Sequence, residues 1–520
     1  MASCIVCYNL CLLLQKLSAA TLIVHNMVSD LLPDKKLRSI KGKLFIYCFR
    51  SLIFLSALLV FLLFGKVYAF GDQSAGTNPA DLLSSYVQIP SVSGEEKEAG
   101  EFFARFCRDH GLHVHVFTDE EDSYNFAASL YPLEKGKPNI VFLTHIDVVP
   151  AGDEDGWTHP PFSGEIADGM VWGRGAIDNK AMGVMQVLAI LQFVEKAAAR
   201  DLPYNVSLLA VSGEETGGDK GARIIAEKFL GELNPVVVYG EGGAGITGLL
   251  GAEPEKPVFG LGVAQKRRMF LAIESKVEAS GHGSVPRKRY PTKEVVEATG
   301  ALLEARPKIT VSSTVRETMD QLARHERGFR RRVMRNIDFY GPLFGRFVRN
   351  DPLIASMLTN TLSLTSLTSA EGAYNQIPAH ARAVFDCRLL PETDEDEFLA
   401  HIQRIVSPYD VNVEVIRASP GTPVSDQGVF YKAMENSIRE VFDDALVVPF
   451  MFVAINDNRF FRRQGIPAYG LLPAMMSEEL MESIHYFDER FPVDALDKGI
   501  EVYVHLISQL LIPMEEYNEN

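Results

Sequence analysis

An apolar run that ends in an imidazole and a carboxylate constrains this chain more than any other feature. Ile140 to Leu143 has the pattern of a strand buried on both faces. It runs into His145 and Asp147 before Pro150 stops it. A strand with no solvent face has little reason to end in two such groups. A site at its carboxyl end supplies the reason, because open α/β sheets bind ligands there. His145 is therefore read as the first ligand of a two-metal hydrolase, with the remaining ligands further down the chain.

Two more apolar runs end in metal-capable groups. Val206 to Val211 leads to Glu214 and Glu215, and Val236 to Tyr239 leads to Glu241. Between the first two runs, Gly-Arg-Gly-Ala-Ile-Asp-Asn-Lys places Asp178 just before an apolar helix. In a parallel sheet the carboxyl ends of neighbouring strands lie side by side, so these groups converge. Several acids around one imidazole repel each other unless cations sit among them. Imidazole and carboxylates suit Zn²⁺, with Co²⁺ or Mn²⁺ as alternatives. Two ions about 3.5–4 Å apart need a bridging carboxylate, assigned to Asp178. A second imidazole should come from later in the chain, and His485 in Ser-Ile-His-Tyr-Phe-Asp-Glu-Arg is the best candidate. Alone, Asp178 reads as an N-cap, Glu214 and Glu215 as a solvated turn, and His145 as a core histidine. Their joint placement at strand ends argues for chemistry. His113 and His115 share one strand face without accompanying carboxylates, and are not read as ligands.

Length and texture divide the chain. At 520 residues it is long for one domain, and 47% hydrophobic with 23% charged residues is a globular composition. A formal charge of −16 argues against nucleic acid as a partner. Six Cys are too few for a disulfide scaffold, and Cys4, Cys7, Cys11 and Cys48 lie in the N-terminal region. Residues 1–70 read as a signal peptide or signal anchor: basic from Lys35 to Lys43, apolar from Ser51 to Phe64, with Val-Tyr-Ala at 67–69 as a cleavage site. The body is then secreted, or membrane-anchored on the extracytoplasmic side. Residues 78–262 and 419–512 alternate strands and helices, as a mostly parallel α/β catalytic domain does. Residues 263–418 read as an inserted α+β domain, with a basic, solvated helix over Arg324 to Arg335. Residues 513–520 are an acidic tail.

The ordered motifs Thr-His-Ile-Asp-Val-Val-Pro, Gly-Arg-Gly-Ala-Ile-Asp-Asn-Lys, Ser-Gly-Glu-Glu-Thr-Gly-Gly, Gly-Glu-Gly-Gly and Gly-His-Gly-Ser-Val-Pro resemble the dizinc aminoacylase and carboxypeptidase family. The nearest look is to carboxypeptidase S and the secreted N-fatty-acyl-amino-acid hydrolase/synthase branch, including the segment Arg349-Asn-Asp-Pro-Leu-Ile. The resemblance spans about residues 78–512. It implies a zinc-exopeptidase-like catalytic domain with a ferredoxin-like lid that dimerises. It implies two Zn²⁺ held by His145, Asp178, Glu215, Glu241 and His485, with Asp178 bridging and Glu214 as general base. Asp147 would orient His145, a role the chemistry also predicts. His282 would stabilise the oxyanion across a homodimer, and Asn375 and Arg388 would meet the substrate's carboxylate. Two departures stand out: Asn179 replaces a second Asp, and Ala-Ile-Asn-Asp-Asn-Arg (454–459) replaces Gly-Thr-Asp-x-Arg.

The implied reaction is hydrolysis of an amide that releases a free amino acid, from short peptides in the manner of carboxypeptidase S. The alternative is an N-acyl amino acid amidohydrolase/synthase, towards which the apolar Phe339, Tyr340, Leu343 and Phe344 lean. A non-catalytic binding module on the same scaffold is the rival from another class; five intact ligands and Glu214 argue against it.

Overall fold

The computed structural model describes residues 77–511, apart from 279–280 and 344–351. The N-terminal region 1–70, the tail 513–520, and Phe344, Arg349, Asn350 and Asp351 of the lid lie outside the described residues. Six longer strands come first: β1 (His113–Glu120), β2 (Ser123–Ser129), β3 (Asn139–His145), β4 (Asn205–Val211), β5 (Pro235–Gly240) and β6 (Val258–Gln265). Four more follow: β7 (Arg267–Lys276), β8 (Thr361–Ser369), β9 (His380–Leu389) and β10 (Asn412–Ala418). The chain then returns with β11 (Leu446–Phe452) and β12 (Ala468–Gly470).

The central sheet runs β1-β2-β4-β3-β5-β12-β6-β11. Its middle is parallel, β3 pairing with β4 and β5 and β12 with β5, while β1 and β2 are antiparallel. Every residue of β3 and of β4 is buried. That is why both read as continuous apolar runs and not as alternating ones. The apolar helix Ala181–Leu191 has ten buried residues and packs between the sheet and Val493–Leu510. It belongs to the one stretch among the described residues apolar and long enough to cross a membrane, and most of that stretch is buried in the protein core.

The second sheet has the order β8-β9-β7-β10, all neighbours antiparallel. Helices Pro291–Glu304 and Glu395–Val406 cover one face through Val295, Leu302, Phe398 and Ile402. The other face stays open: along β8, Ser363, Thr365 and Leu367 are exposed. This is the ferredoxin-like arrangement inserted between the two parts of the central sheet. The basic stretch expected as one helix is split. Ser313–Arg324 ends at His325, Gly328 takes a positive φ of 56°, and Gly328–Arg335 restarts with no buried residue. Its Arg330, Arg331, Arg332 and Arg335 are all exposed, as the charge pattern requires.

Candidate metal centre

β3 and β4 are in parallel register to their last residues, with His145 level with Val211. The loop after β4 therefore turns Glu214 and Glu215 over the end of β3. The His145 imidazole is 2% exposed. Its Nε2 lies 2.9 Å from Asp178 Oδ1 and 3.5 Å from Glu241 Oε2. The Nε2 of His485 lies 3.2 Å from Asp178 Oδ2 and 3.2 Å from Glu215 Oε1. Asp178 thus touches both histidines. Donor atoms of His145, Glu214 and Glu241, and of His145, Asp178 and Glu215, each gather within 4.8 Å. A cavity of about 10 Å³ is lined by His145, Asn179, Glu214, Glu241 and Asp457, roughly the space of one water molecule.

The electrostatics of this cluster suit a cation. Burial opposes charge on His145, but the neighbouring carboxylates of Asp147, Asp178 and Glu241 outweigh it and raise its pKa well above the usual imidazole value. Hydrogen bonds donated to Asp178 and Glu215 raise His485 to about 10. Burial, then Glu241 and Asp457, push Glu214 well above the usual carboxylate range. Burial also raises Glu215, and lifts Asp457 to about 7. Both Asp457 carboxylate oxygens are buried without a hydrogen-bond donor, and Arg459 Nη2 stands 3.9 Å away. A field that binds protons this tightly binds metal cations by the same physics. The set of imidazoles and carboxylates is one that Zn²⁺ and similar ions accept.

Asp147 does something different in detail from what was expected. The His145 Nδ1 hydrogen bond, at 2.9 Å, is to the Asp147 backbone carbonyl; the carboxylate is 3.6 Å away. That carboxylate instead accepts from the amides of Glu214 (3.0 Å) and Glu215 (3.2 Å) and from Ser93 Oγ (2.6 Å). It fixes the Glu214–Glu215 turn as well as facing the imidazole.

Asn179, the departure from a second Asp, accepts from Thr144 Oγ1 and donates to Glu241 Oε2 at 3.2 Å. An amide there steers Glu241 without adding a charge. Asn456 and Asn458 both donate to the Glu241 carbonyl, at 2.7 and 2.8 Å. The second departure is thus the platform under Glu241.

The sequence reading missed one pair. Glu489 is fully buried and accepts from the amides of Ile177 (2.9 Å) and Asp178 (3.0 Å). Arg174 Nη1, also buried, donates to it at 2.6 Å. The short strands Met170–Trp172 and Arg490–Pro492 pair beside them and bind the Asp178 loop to the His485 loop. Arg174 lies inside the Gly-Arg-Gly motif and Glu489 four residues after His485, so proximity to ligands was the available signal. Glu489→Gln leaves Arg174 buried without its counter-charge. It should destabilise the protein by about 3 kcal/mol in urea unfolding and loosen bound metal in a chelator competition.

His485 has φ +62° in the loop after helix Glu478–Ser483. That left-handed conformation costs a non-glycine residue about 1–2 kcal/mol, offset here by contacts to Asp178 and Glu215.

Of the lid residues, His282 and Asn375 are brought together, while Arg388 pairs elsewhere in the lid. His282 Nε2 is 3.1 Å from Asn375 Nδ2, and Arg388 makes a bidentate pair with Asp386 at 2.9 and 2.8 Å. Among the described residues none of the three contacts a cluster residue. His115, expected to lack carboxylates, has Glu134 at 3.8 Å and Glu232 at 3.5 Å, a partly exposed surface group.

A largely parallel sheet with acids and imidazoles gathered at its strand ends, and an inserted ferredoxin-like sheet, define a metallohydrolase. The chain belongs to peptidase family M20/M25/M40, whose family model matches residues 141–509. It is 25% identical over 446 residues to "Probable carboxypeptidase S-like 2" of Dictyostelium discoideum, covering 82% of this chain and 84% of that one. It is 27% identical over 446 residues to human "N-fatty-acyl-amino acid synthase/hydrolase PM20D1", covering 82% and 86%. The fold matches the M20 family metallo-carboxypeptidase Sso-CP2 from Sulfolobus solfataricus with a TM-score of 0.61 at 16% identity, covering 84% and 100%. It matches human carnosine dipeptidase 1 with a TM-score of 0.58 at 18% identity, covering 83% and 96%.

Proposed function

We propose that this enzyme hydrolyses an amide bond to release a free amino acid, as a carboxypeptidase S-like enzyme acting on short peptides. The observation that carries the reading is the meeting of His145, Asp178, Glu215, Glu241 and His485 around Glu214. These five residues would hold two Zn²⁺ per chain, with Asp178 shared between the sites. When bound, such ions lower the pKa of a water towards about 7 and polarise the carbonyl under attack.

The chain's own groups do the rest. Glu214 takes the proton of the attacking water and delivers it to the leaving amine nitrogen. Asp147 holds Glu214 and Glu215 by their amides. Arg388, released from Asp386, binds the free carboxylate of the departing amino acid, beside Asn375. His282 donates to the oxyanion of the partner's substrate in a homodimer formed through the lid. Its exposure, and its bond to Asn375 in the lid, support a cross-subunit role. His282→Ala should lower kcat by about 10²–10³ while light scattering still reports a dimer; a monomeric, fully active enzyme would remove this role.

We divide the chain into a catalytic domain of 78–262 and 419–512 and a lid of 263–418. The basic-then-apolar order of residues 1–70 supports secretion, or anchoring with the body outside the cytoplasm. The second reading, an N-acyl amino acid amidohydrolase/synthase, is favoured by the relative named for that activity and by exposed Phe329 and Phe339 in the insert. The deciding experiment compares C-terminal-glycine dipeptides with long-chain N-acyl amino acids, before and after chelation. Dipeptide turnover that is at least about tenfold faster in kcat/KM, about 1.4 kcal/mol, supports the first reading. The reverse ratio selects the second, and activity indifferent to chelation sinks both.

A further inference from the structure

A cleft of about 310 Å³ shares no lining residue with the cavity at the metal centre, and arginine dominates its wall: Arg223, Arg268, Arg417, Arg459 and Arg463. Its place in the fold is specific. The chain crosses from the central sheet to the inserted sheet at Lys266, between β6 and β7. It crosses back after β10, through Ala418, Ser419 and Pro420. The Ser419 amide donates to the Arg268 carbonyl at 2.8 Å, tying the two crossings together. Arg268 and Arg417 come from the inserted sheet; Arg459 and Arg463 come from the helix that follows β11, and Arg223 from the helix at Ala222–Ile224.

The local charges do not balance. Only Asp219 and Glu227 among the lining residues are acidic, and both are already engaged. Asp219 pairs with Arg417 at 2.7 Å and with Arg223 at 3.3 Å, and Glu227 with Arg223 at 2.9 Å. Among the described residues, Arg268 and Arg463 have no carboxylate within ion-pair distance. The buried Nε of Arg463 has no hydrogen-bond partner. Arg459 spends its donors on the carbonyls of Asn456 and Gly217. Burial and the charges of Arg388, Arg459 and Arg417 together pull Arg268 below its usual pKa, and burial with Arg459 and Arg223 pulls Arg463 to about 10. Such a cluster of like charge is held more cheaply with an anion among it.

We propose that this cleft is a binding site for a small phosphate-bearing anion that joins Arg268 of the inserted sheet to Arg463 of the helix that follows β11. A single carboxylate would leave most of the excess charge in place. A phosphate group carries close to two charges and several acceptor oxygens, and guanidinium forks match its geometry. The volume admits either inorganic phosphate or a short organic phosphate. Because both chain crossings line the cleft, the bound anion would also fix the angle between the two sheets.

The test is calorimetric titration of the full-length, metal-loaded protein at constant ionic strength in chloride. The probes are inorganic phosphate and glycerol 3-phosphate. Saturable binding of one anion per chain is expected, weakened at least about tenfold in the double variant Arg268→Gln/Arg463→Gln. It should be unchanged in Arg331→Gln/Arg332→Gln, which removes equal charge from the exposed helix. Equal affinity for the two probes assigns free phosphate, and at least tenfold tighter glycerol 3-phosphate assigns an organic phosphate. A phosphate ligand could instead sit on the metals, so His485→Ala is titrated as well, and binding should survive there. Absence of saturable binding, persistence in the double variant, or loss in His485→Ala would each overturn the proposal. If the double variant does not fold, Arg268→Gln alone carries the test, with at least about fivefold weakening expected.

Discussion

Glu214→Gln should lower kcat by about 10²–10⁴ while leaving metal content unchanged. The two halves of that expectation have separate physical sources. Glutamine keeps the size and the hydrogen-bonding acceptor of the side chain, and the turn is held by the Glu214 and Glu215 amides on Asp147, which the substitution does not touch. Glutamine cannot take a proton, so the attacking water and the leaving amine both lose their proton carrier. Steady-state kinetics with metal analysis by atomic emission checks both halves. A Glu214→Gln enzyme with wild-type turnover would move the base to another residue. A variant that lost metal as well as turnover would make Glu214 a ligand, which its place within 4.8 Å of His145 and Glu241 makes a pointed alternative.

Asp178→Ala should be the most damaging single change to the metal centre. Its two oxygens face the two histidines, Oδ1 towards His145 at 2.9 Å and Oδ2 towards His485 at 3.2 Å. Burial works against its charge, yet both imidazoles hold its pKa far below the usual carboxylate range. Bridging carboxylates let two ions sit close together, so the loss should affect both sites at once. Activity is expected to fall to background and metal content from about two ions per chain to fewer than about one. Zinc titration after dialysis reads the stoichiometry directly. Retention of two tightly bound ions would remove the bridging assignment, and retention of one would confine Asp178 to a single site.

The sheet topology explains why so much of the centre was legible beforehand. Strands buried on both faces are usually rich in apolar residues, so β3, β4 and β5 stand out as runs. The polar groups immediately after them are then conspicuous. Helix Glu395–Val406 carries its signals locally, since Asp394 caps it and a 3.6-residue apolar period fills it. Strand β2 was missed although all seven of its residues are buried. Ser, Asn and Ala within it hide the apolar run that a buried strand usually shows, and its Asn125 is satisfied by partners near residue 220.

What the amino-acid order determined was therefore the chemistry available at the strand ends: His145, Asp178, Glu214, Glu215, Glu241 and His485 are all local readings of strand, turn and motif. Only the tertiary structure decided which of them touch, and what holds them. Asp147 carries the amides of the Glu214 turn, Glu489 carries the Asp178 amide across 311 residues of chain, and Asn456 and Asn458 carry the Glu241 carbonyl. The arginine cleft is of the same kind, since its members come from four separate segments and each alone reads as a solvated surface charge. The physical reason is common to all of them. Periodicity and turn chemistry act over a few residues, whereas a buried charge is settled by whichever partner the packed sheet brings within hydrogen-bonding distance.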